Sequence, residues 1–184
     1  TNLPIPMLLC VGAINSFLIE KKLRGYVSIN VQSGEALDTH SFATLIGVGA
    51  TTVNPYLAFD SLYQRHEKKL FGKFSFDECV ERYIKSVNAG LLKIMSKMGI
   101  SVLSSYRGGC NFETVGLSRT IVADYFPGVV SKISGIGLNG IEKKIRSIHK
   151  EAFEGSETIL PIGGIYRYRK NGETHQYQGK LIHL

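Results

Sequence analysis

The chain has 184 residues, of which 43% are hydrophobic, 20% charged and 10% aromatic, with no tryptophan. Those proportions are enough for a packed core and exclude a disordered or low-complexity chain. The net charge of +7 invites a nucleic-acid reading, but the cations fall in separate groups broken by Glu20, Glu67 and Glu142. Solvated helix faces and an acidic partner surface account for that pattern, and no nucleic-acid-binding motif accompanies it.

In chain order, Pro4 and Pro6 precede Met7, Leu8, Val11, Ile14, Leu18 and Leu23 at helical spacing, and Arg24-Gly25 ends the run. Val27, Ile29 and Val31 alternate with polar residues and predict a strand stopping at Ser33-Gly34. Asp38 is a candidate N-cap for a helix reaching Ile46, where Gly47 and Gly49 are expected to break it. A short β-branched strand over 50–53 ends at Asn54-Pro55, and a helix follows to about Tyr63. Residues 66–74 read as a polar, basic connection. Ser75 with Glu78 forms a capping box that opens a long helix over 76–98, closed by Gly99. Ile100, Val102 and Leu103 predict the next strand, followed by the polar turn over 104–109. Short helices are expected around Phe112 and over 121–126, then a weak strand over 129–134 and an amphipathic helix over 141–153. The tail over 158–184, rich in Gly, Tyr and charge, reads as irregular structure or a β-ribbon.

Alternating helices and strands with crossovers imply an α/β fold with parallel strands in one helix-covered sheet. Three firm strands are few for a complete doubly wound domain or barrel. The chain also lacks a starting Met and opens on an apolar element, so it reads as a segment of something longer, divided into 1–157 and a tail over 158–184. The stretch over 3–18 has no basic residue before it and contains Pro4, Pro6 and Asn15, against a signal peptide, and no apolar run has membrane-spanning length. Cys10, Cys79 and Cys110 lack the spacing of a zinc or iron–sulfur site and read as reduced, buried thiols of a cytoplasmic protein. A segment with an unpaired sheet edge is expected to self-associate when isolated.

No complete catalytic site emerges. Gly135-Ile136-Gly137-Leu138-Asn139-Gly140 is a formal dinucleotide fingerprint, but a loop stands where the second strand and its acid belong. Glycines that permit a tight helix start are the plainer reason. His40, His66, His149, His175 and His183 show no ligand spacing, and Thr1 as an N-terminal nucleophile is the weaker reading of that position. The polar residues at predicted strand ends are better candidates, because sites in parallel sheets form there. They are Gln32, Ser33, Gly34 and Glu35, then Thr52 and Asn54, then Ser104, Ser105, Tyr106 and Arg107.

Three blocks carry a family resemblance: Leu45-Ile46-Gly47-Val48-Gly49-Ala50 with Val53-Asn54-Pro55-Tyr56-Leu57-Ala58, the stretch Gly90-Leu91-Leu92-Lys93-Ile94-Met95-Ser96-Lys97-Met98-Gly99-Ile100-Ser101, and Ser105-Tyr106-Arg107-Gly108. Together they resemble the later part of the central domain of the glutamate synthase large (alpha) subunit. The resemblance continues through Phe112-Glu113, Val115-Gly116-Leu117, Ser134-Gly135-Ile136-Gly137 and Gly172-Glu173-Thr174-His175. It implies a parent oxidoreductase, acting on CH–NH2 donors, that frees ammonia from glutamine in an amidotransferase domain. The ammonia then passes through a tunnel to an FMN-binding barrel, where it is combined with 2-oxoglutarate and reduced to glutamate. The central domain is implied to be an incomplete, TIM-barrel-related α/β unit contributing to the tunnel wall, with the tail leading toward the FMN-binding domain. FMN, an iron–sulfur cluster, the amidotransferase and FMN-binding domains and a small (beta) subunit are implied for the parent. None of the family's catalytic, cofactor or metal-binding residues maps onto this segment.

A conduit for neutral ammonia wants small side chains with weak donors and acceptors and no strong acid. Ser33, Thr51, Thr52 and Asn54 fit that description as candidate lining, and Glu35 and Arg107 as loop supports. Bulky replacement at Thr52 or Asn54 is expected to uncouple glutaminase from synthase activity. The alternatives are a free-standing binding module derived from such a subunit and a nucleotide-binding enzyme using Gly135–Gly140. The electron source of the parent, NADPH or ferredoxin, is not legible in these residues.

Overall fold

A computed structural model describes residues 3–154 and 169–170. The expectations for Thr1, for most of the tail, and for His175 and His183 lie outside these residues. The chain divides into two compact units, Thr1–Ile145 and Arg146–Leu184. The first holds α1 (Met7–Glu20), β1 (Asn30–Gln32), α2 (Thr39–Val48), β2 (Thr52–Asn54), α3 (Tyr56–Glu67), α4 (Phe76–Lys97), α5 (Leu103–Tyr106), β3 (Glu113–Leu117), α6 (Arg119–Tyr125) and β4 (Val130–Ile136). The last helix, α7 (Leu138–Glu154), begins there. In the second unit it carries a His149–Phe153 ring contact at 4.6 Å and a Lys150–Glu154 ion pair at 3.9 Å.

The helix boundaries follow from local chemistry. Asp38 caps α2 as expected, its Oδ1 accepting from the Ser41 backbone N–H at 2.9 Å and the Ser41 hydroxyl at 2.8 Å. These two donors hold the Asp38 carboxyl below the usual carboxylate range. The Ser75–Glu78 capping box opens α4, with both reciprocal bonds formed. Helices α1, α3 and α4, like α2, close on the same pair of C-terminal bonds. Leu23 N–H donates to Leu18 O after α1, Leu70 N–H to Arg65 O after α3, and Ile100 N–H to Met95 O after α4. The residue in the left-handed position is Lys22, Lys69 and Gly99 respectively. The reversal at Lys22 ends α1 before Leu23, and Arg24–Tyr26 forms a separate 3-10 turn.

Four sequence expectations are corrected. First, the single sheet is two separate two-stranded parallel sheets, β1–β2 and β3–β4. The chain between β2 and β3 is spent on the α3–α4 hairpin and α5, so no strand bridges them. Second, the apolar run Ile100, Val102, Leu103 is not a strand. The Ile100 N–H is consumed in closing α4, its side chain packs beside Met95, and Leu103 opens α5 instead. Third, the stretch after Phe112 is a strand rather than a helix. Gly116 takes φ +84, which no helix accommodates, and Ser118 caps α6 immediately afterwards. Fourth, Gly47 does not break α2. It lies inside the helix because the Phe112 ring fills the space a Cβ would need, and only Gly49, at φ +133, ends it.

Helix α2 lies between two clusters of buried side chains. Phe42, Leu45 and Val48 pack with Val11, Ile29, Val31, Val87, Ile121 and Phe126, while Ala43 and Ile46 pack with Met95 and Tyr106. Tyr106 is 1% exposed and its hydroxyl donates to Ala43 O at 3.1 Å, which satisfies the one polar atom it buries. Of the cysteines, Cys79 is buried, Cys10 and Cys110 are half-buried, and none is in a disulfide. Among the described residues no helix is long and apolar enough to cross a membrane.

Candidate functional site at the carboxyl end of β2

Parallel pairing sets Gln32 opposite Asn54, which brings the ends of β1 and β2 side by side. Ser33 N–H donates to Asn54 O at 3.1 Å across that end. Next to it, α2, α3 and α4 help to line an open pocket of about 540 Å³. Phe42 and Ile46 from α2, Val53 from β2, Phe59 from α3, and Val87 and Leu91 from α4 form its apolar wall. Thr51, Asn54, Tyr83 and Asn88 supply its polar atoms, and no carboxylate, imidazole, ammonium or guanidinium group lines it.

Each polar group is held differently. Thr51 binds Ile29 twice, its N–H donating to Ile29 O at 2.8 Å and its Oγ1 accepting from Ile29 N–H at 3.1 Å, so its hydroxyl proton is left for another acceptor. The Tyr83 hydroxyl donates to Leu37 O at 3.1 Å, and its ring meets Phe59 edge-on at 6.0 Å. Burial, with a contribution from Asp38, raises the Tyr83 phenol above its ordinary value, so it stays neutral at physiological pH. The side-chain amides of Asn54 and Asn88 make no hydrogen bond among the described residues.

Of the candidate residues from the sequence, Thr51 and Asn54 line this pocket, and Ser33 and Thr52 do not. Ser33 is buried, and its hydroxyl accepts from Glu35 N–H at 3.0 Å, closing the turn after β1. Thr52 is exposed and donates to Asn30 Oδ1 at 2.6 Å across the strand pair. Both Glu35 oxygens accept from Met7 N–H, at 3.3 and 3.1 Å, so its carboxylate sits at the N-terminus of α1, whose own N-cap Pro6 supplies no side-chain bond. Arg107 follows α5 with its Nε buried and unpartnered among the described residues. The third set of strand-end residues therefore belongs to a helix: Tyr106 is core, and of that region only Leu103 reaches the pocket. Sequence reasoning missed Asn88, whose signal is a polar residue set within the α4 stripe Ile84, Val87, Leu91.

The glycine fingerprint is accounted for by packing. A Cβ on Gly135 would overlap the main chain of Gly116, and one on Gly140 would lie 2.7 Å from Ile136 Cβ, whereas Gly137 faces open space. Among the described residues no group of three or more His, Cys, Asp or Glu side chains converges as a metal-ion site would require.

Among the described residues the chain is a helix-rich α/β scaffold with short parallel strands and a mainly apolar pocket at a strand end. Comparison with known proteins gives its family. The model of the glutamate synthase central domain matches residues 1–118. The NADPH glutamate synthase large chain of Azospirillum brasilense is 54% identical over 179 residues, covering 97% of this chain and 12% of that protein. The corresponding large chain of Bacillus subtilis (strain 168) is 44% identical over 182 residues, covering 98% and 12%. The chloroplastic ferredoxin-dependent glutamate synthase of Spinacia oleracea is 39% identical over 196 residues, covering 100% and 12%. The chain belongs to the glutamate synthase central domain family, and it spans about one eighth of the length of these relatives.

Proposed function

We propose that this chain is the later part of the central domain of a glutamate synthase large subunit, where it walls the passage carrying ammonia between two catalytic domains. The single observation that carries this reading is the strand-end pocket, which in a member of this family has no ionisable group of the kind that traps ammonia as ammonium. Neutral ammonia accepts a hydrogen bond through its lone pair and donates its N–H groups to oxygens. The Thr51 hydroxyl and the Asn54 and Asn88 amides offer both kinds of partner, each weakly, along a mainly apolar wall. The chemistry is then done by the rest of the polypeptide. Glutamine is hydrolysed in an amidotransferase domain, and 2-oxoglutarate is aminated and reduced to glutamate in an FMN-binding domain. The three cysteines of the described residues form no iron–sulfur ligand set, and on this reading that centre and FMN sit in those other regions.

The same reading makes the two parallel strand pairs, each followed by a helix, pieces of an incomplete TIM-barrel-related unit. It gives the chain the amidotransferase and FMN-binding domains as neighbours, a small (beta) subunit as a further partner and the cytoplasm as its compartment. Glu35, bonded to Met7 N–H, and Arg107 then hold loops in place. In the complete enzyme, Asn54→Phe and Thr51→Phe are expected to raise the ratio of glutamine hydrolysed to glutamate formed several-fold, with synthesis from added ammonium retained. Thr52→Phe, off the pocket, leaves the ratio near that of the wild type. Unchanged coupling in the first two variants would remove the conduit.

Exposed apolar residues on β3 and β4 give a second expected result. Val115 is 64% and Ile133 60% exposed on a two-stranded parallel sheet, a kind of sheet otherwise covered on both faces. The isolated chain is expected to self-associate through this ribbon, and Val115→Lys with Ile133→Lys to shift it toward monomer on size-exclusion chromatography with light scattering. A monomeric wild-type chain contradicts that expectation.

A further inference from the structure

The turn between α3 and α4 carries a charge pattern that the pocket does not use. Arg65, Lys68, Lys69 and Lys73 surround Leu70, which is 62% exposed. None of these four cations is ion-paired among the described residues. Of the nearby acids, Glu78 accepts from Ser75 N–H at 2.8 Å and Glu67 lies 4.0 Å from His66. The base of the turn is rigid: Tyr63 and His66 meet the Phe76 ring edge-on at 5.6 and 6.2 Å, and the capping box fixes the start of α4. At its crest Lys69 holds φ +55, the position after a helix where glycine is the unstrained residue. The backbone carries that strain at a residue that is exposed.

We propose that this tip is a docking site for a separate, acidic partner protein that associates transiently, with carboxylates meeting the lysines and an apolar patch receiving Leu70. A cationic rim around an exposed apolar anchor is suited to steering and orienting an oppositely charged surface. Interfaces fixed within one assembly are larger and more apolar than a tip of this composition, which points to a partner in trans. Nucleic acid is disfavoured because two rings of the turn are already engaged, Phe74 by the Arg82 guanidinium at 4.1 Å and Phe76 edge-on by Tyr63 and His66. A membrane is disfavoured because Tyr63, Leu70 and Phe74 together offer too little apolar surface for stable insertion.

The test uses the full-length polypeptide and, as probe, a fluorescein-labelled peptide of alternating glutamate and leucine, followed by fluorescence anisotropy. Lys68→Glu with Lys69→Glu and Lys73→Glu is expected to weaken binding about tenfold or more, and Leu70→Ser about threefold with the same salt dependence. Lys69→Gly separates docking from folding. It relieves the backbone strain, so amide exchange at the end of α3 is no faster than in the wild type, while peptide binding falls. Equal binding by the wild type and the triple variant overturns the proposal, as does binding indifferent to Leu70→Ser, which marks plain ion exchange. A photo-crosslinker at position 70 that joins the tip to another region of the same purified polypeptide also overturns it, since the tip is then covered in cis.

Discussion

Gly135→Ala is expected to break the β3–β4 pair, at a cost of about 3 kcal/mol or more. The register explains why. Val115 faces Ile133 and Leu117 faces Ile136, so three steps along β4 match two along β3. The extra residue brings Gly135 directly over Gly116, itself at φ +84, and a Cβ would overlap the Gly116 carbonyl and lie 2.7 Å from its Cα. Backbone, unlike the end of a flexible side chain, cannot step aside without opening the ladder. Gly137→Ala, two residues on in the same motif, meets nothing within 4 Å and is expected to be neutral to within about 0.5 kcal/mol. Hydrogen exchange of the β3 and β4 amides, with thermal unfolding, distinguishes the two. Native-like protection in Gly135→Ala would show that the strands do not approach this closely.

Arg24→Ala carries the second large effect, about 3 kcal/mol, because one guanidinium joins three separate pieces of chain. Its Nε donates to Asn15 Oδ1 at 2.7 Å, Nη1 to Val27 O at 2.8 Å and Nη2 to Gly49 O at 2.7 Å. Asn15 is buried and Gly49 ends α2, so the bonds tie α1 and the segment before β1 to the end of α2. No carboxylate takes part. Truncation leaves the Asn15 amide oxygen and a part-buried carbonyl without their donor, and that penalty exceeds the modest net worth of the bonds themselves. Lysine is expected to recover only part of the loss, because one ammonium cannot span three acceptors held in a planar fork. Urea unfolding of Arg24→Ala, Asn15→Ala and the double variant measures the coupling. An Arg24→Ala variant within about 0.5 kcal/mol of the wild type would show that the network adds little.

Much of the local structure is legible from residue types alone. Asp38 before Ser41, Ser75 before Glu78, and Gly99 after Met98 each satisfy backbone groups within a few residues, so their geometry is specified where it is read. The long α4 stripe and the β2 strand ending at Asn54-Pro55 were visible for the same reason. Errors arose where a residue serves two levels at once. Ile100 looks like a strand residue, but its N–H closes α4. Gly47 looks like a helix breaker, but it makes room for Phe112, which lies far along the chain.

The candidate site shows the same division. That β2 ends in polar residues was plain from Thr51, Thr52 and Asn54, but strand alternation does not say which of them a neighbouring helix leaves open. Pairing with Asn30 turns Thr52 away, and the approach of α4 adds Asn88 and Tyr83, neither of which stands near a predicted strand.

By itself, then, the sequence determined the caps, the helical periodicities, the parallel α/β class and, through its blocks of resemblance, the family, because each rests on neighbours within a turn or on an ordered run of residues. Tertiary structure alone decided the split into two sheets, the closeness of Gly116 to Gly135, the Arg24 network and the membership of the pocket. Each of these depends on which distant segments come into van der Waals or hydrogen-bonding contact, and no local pattern encodes that.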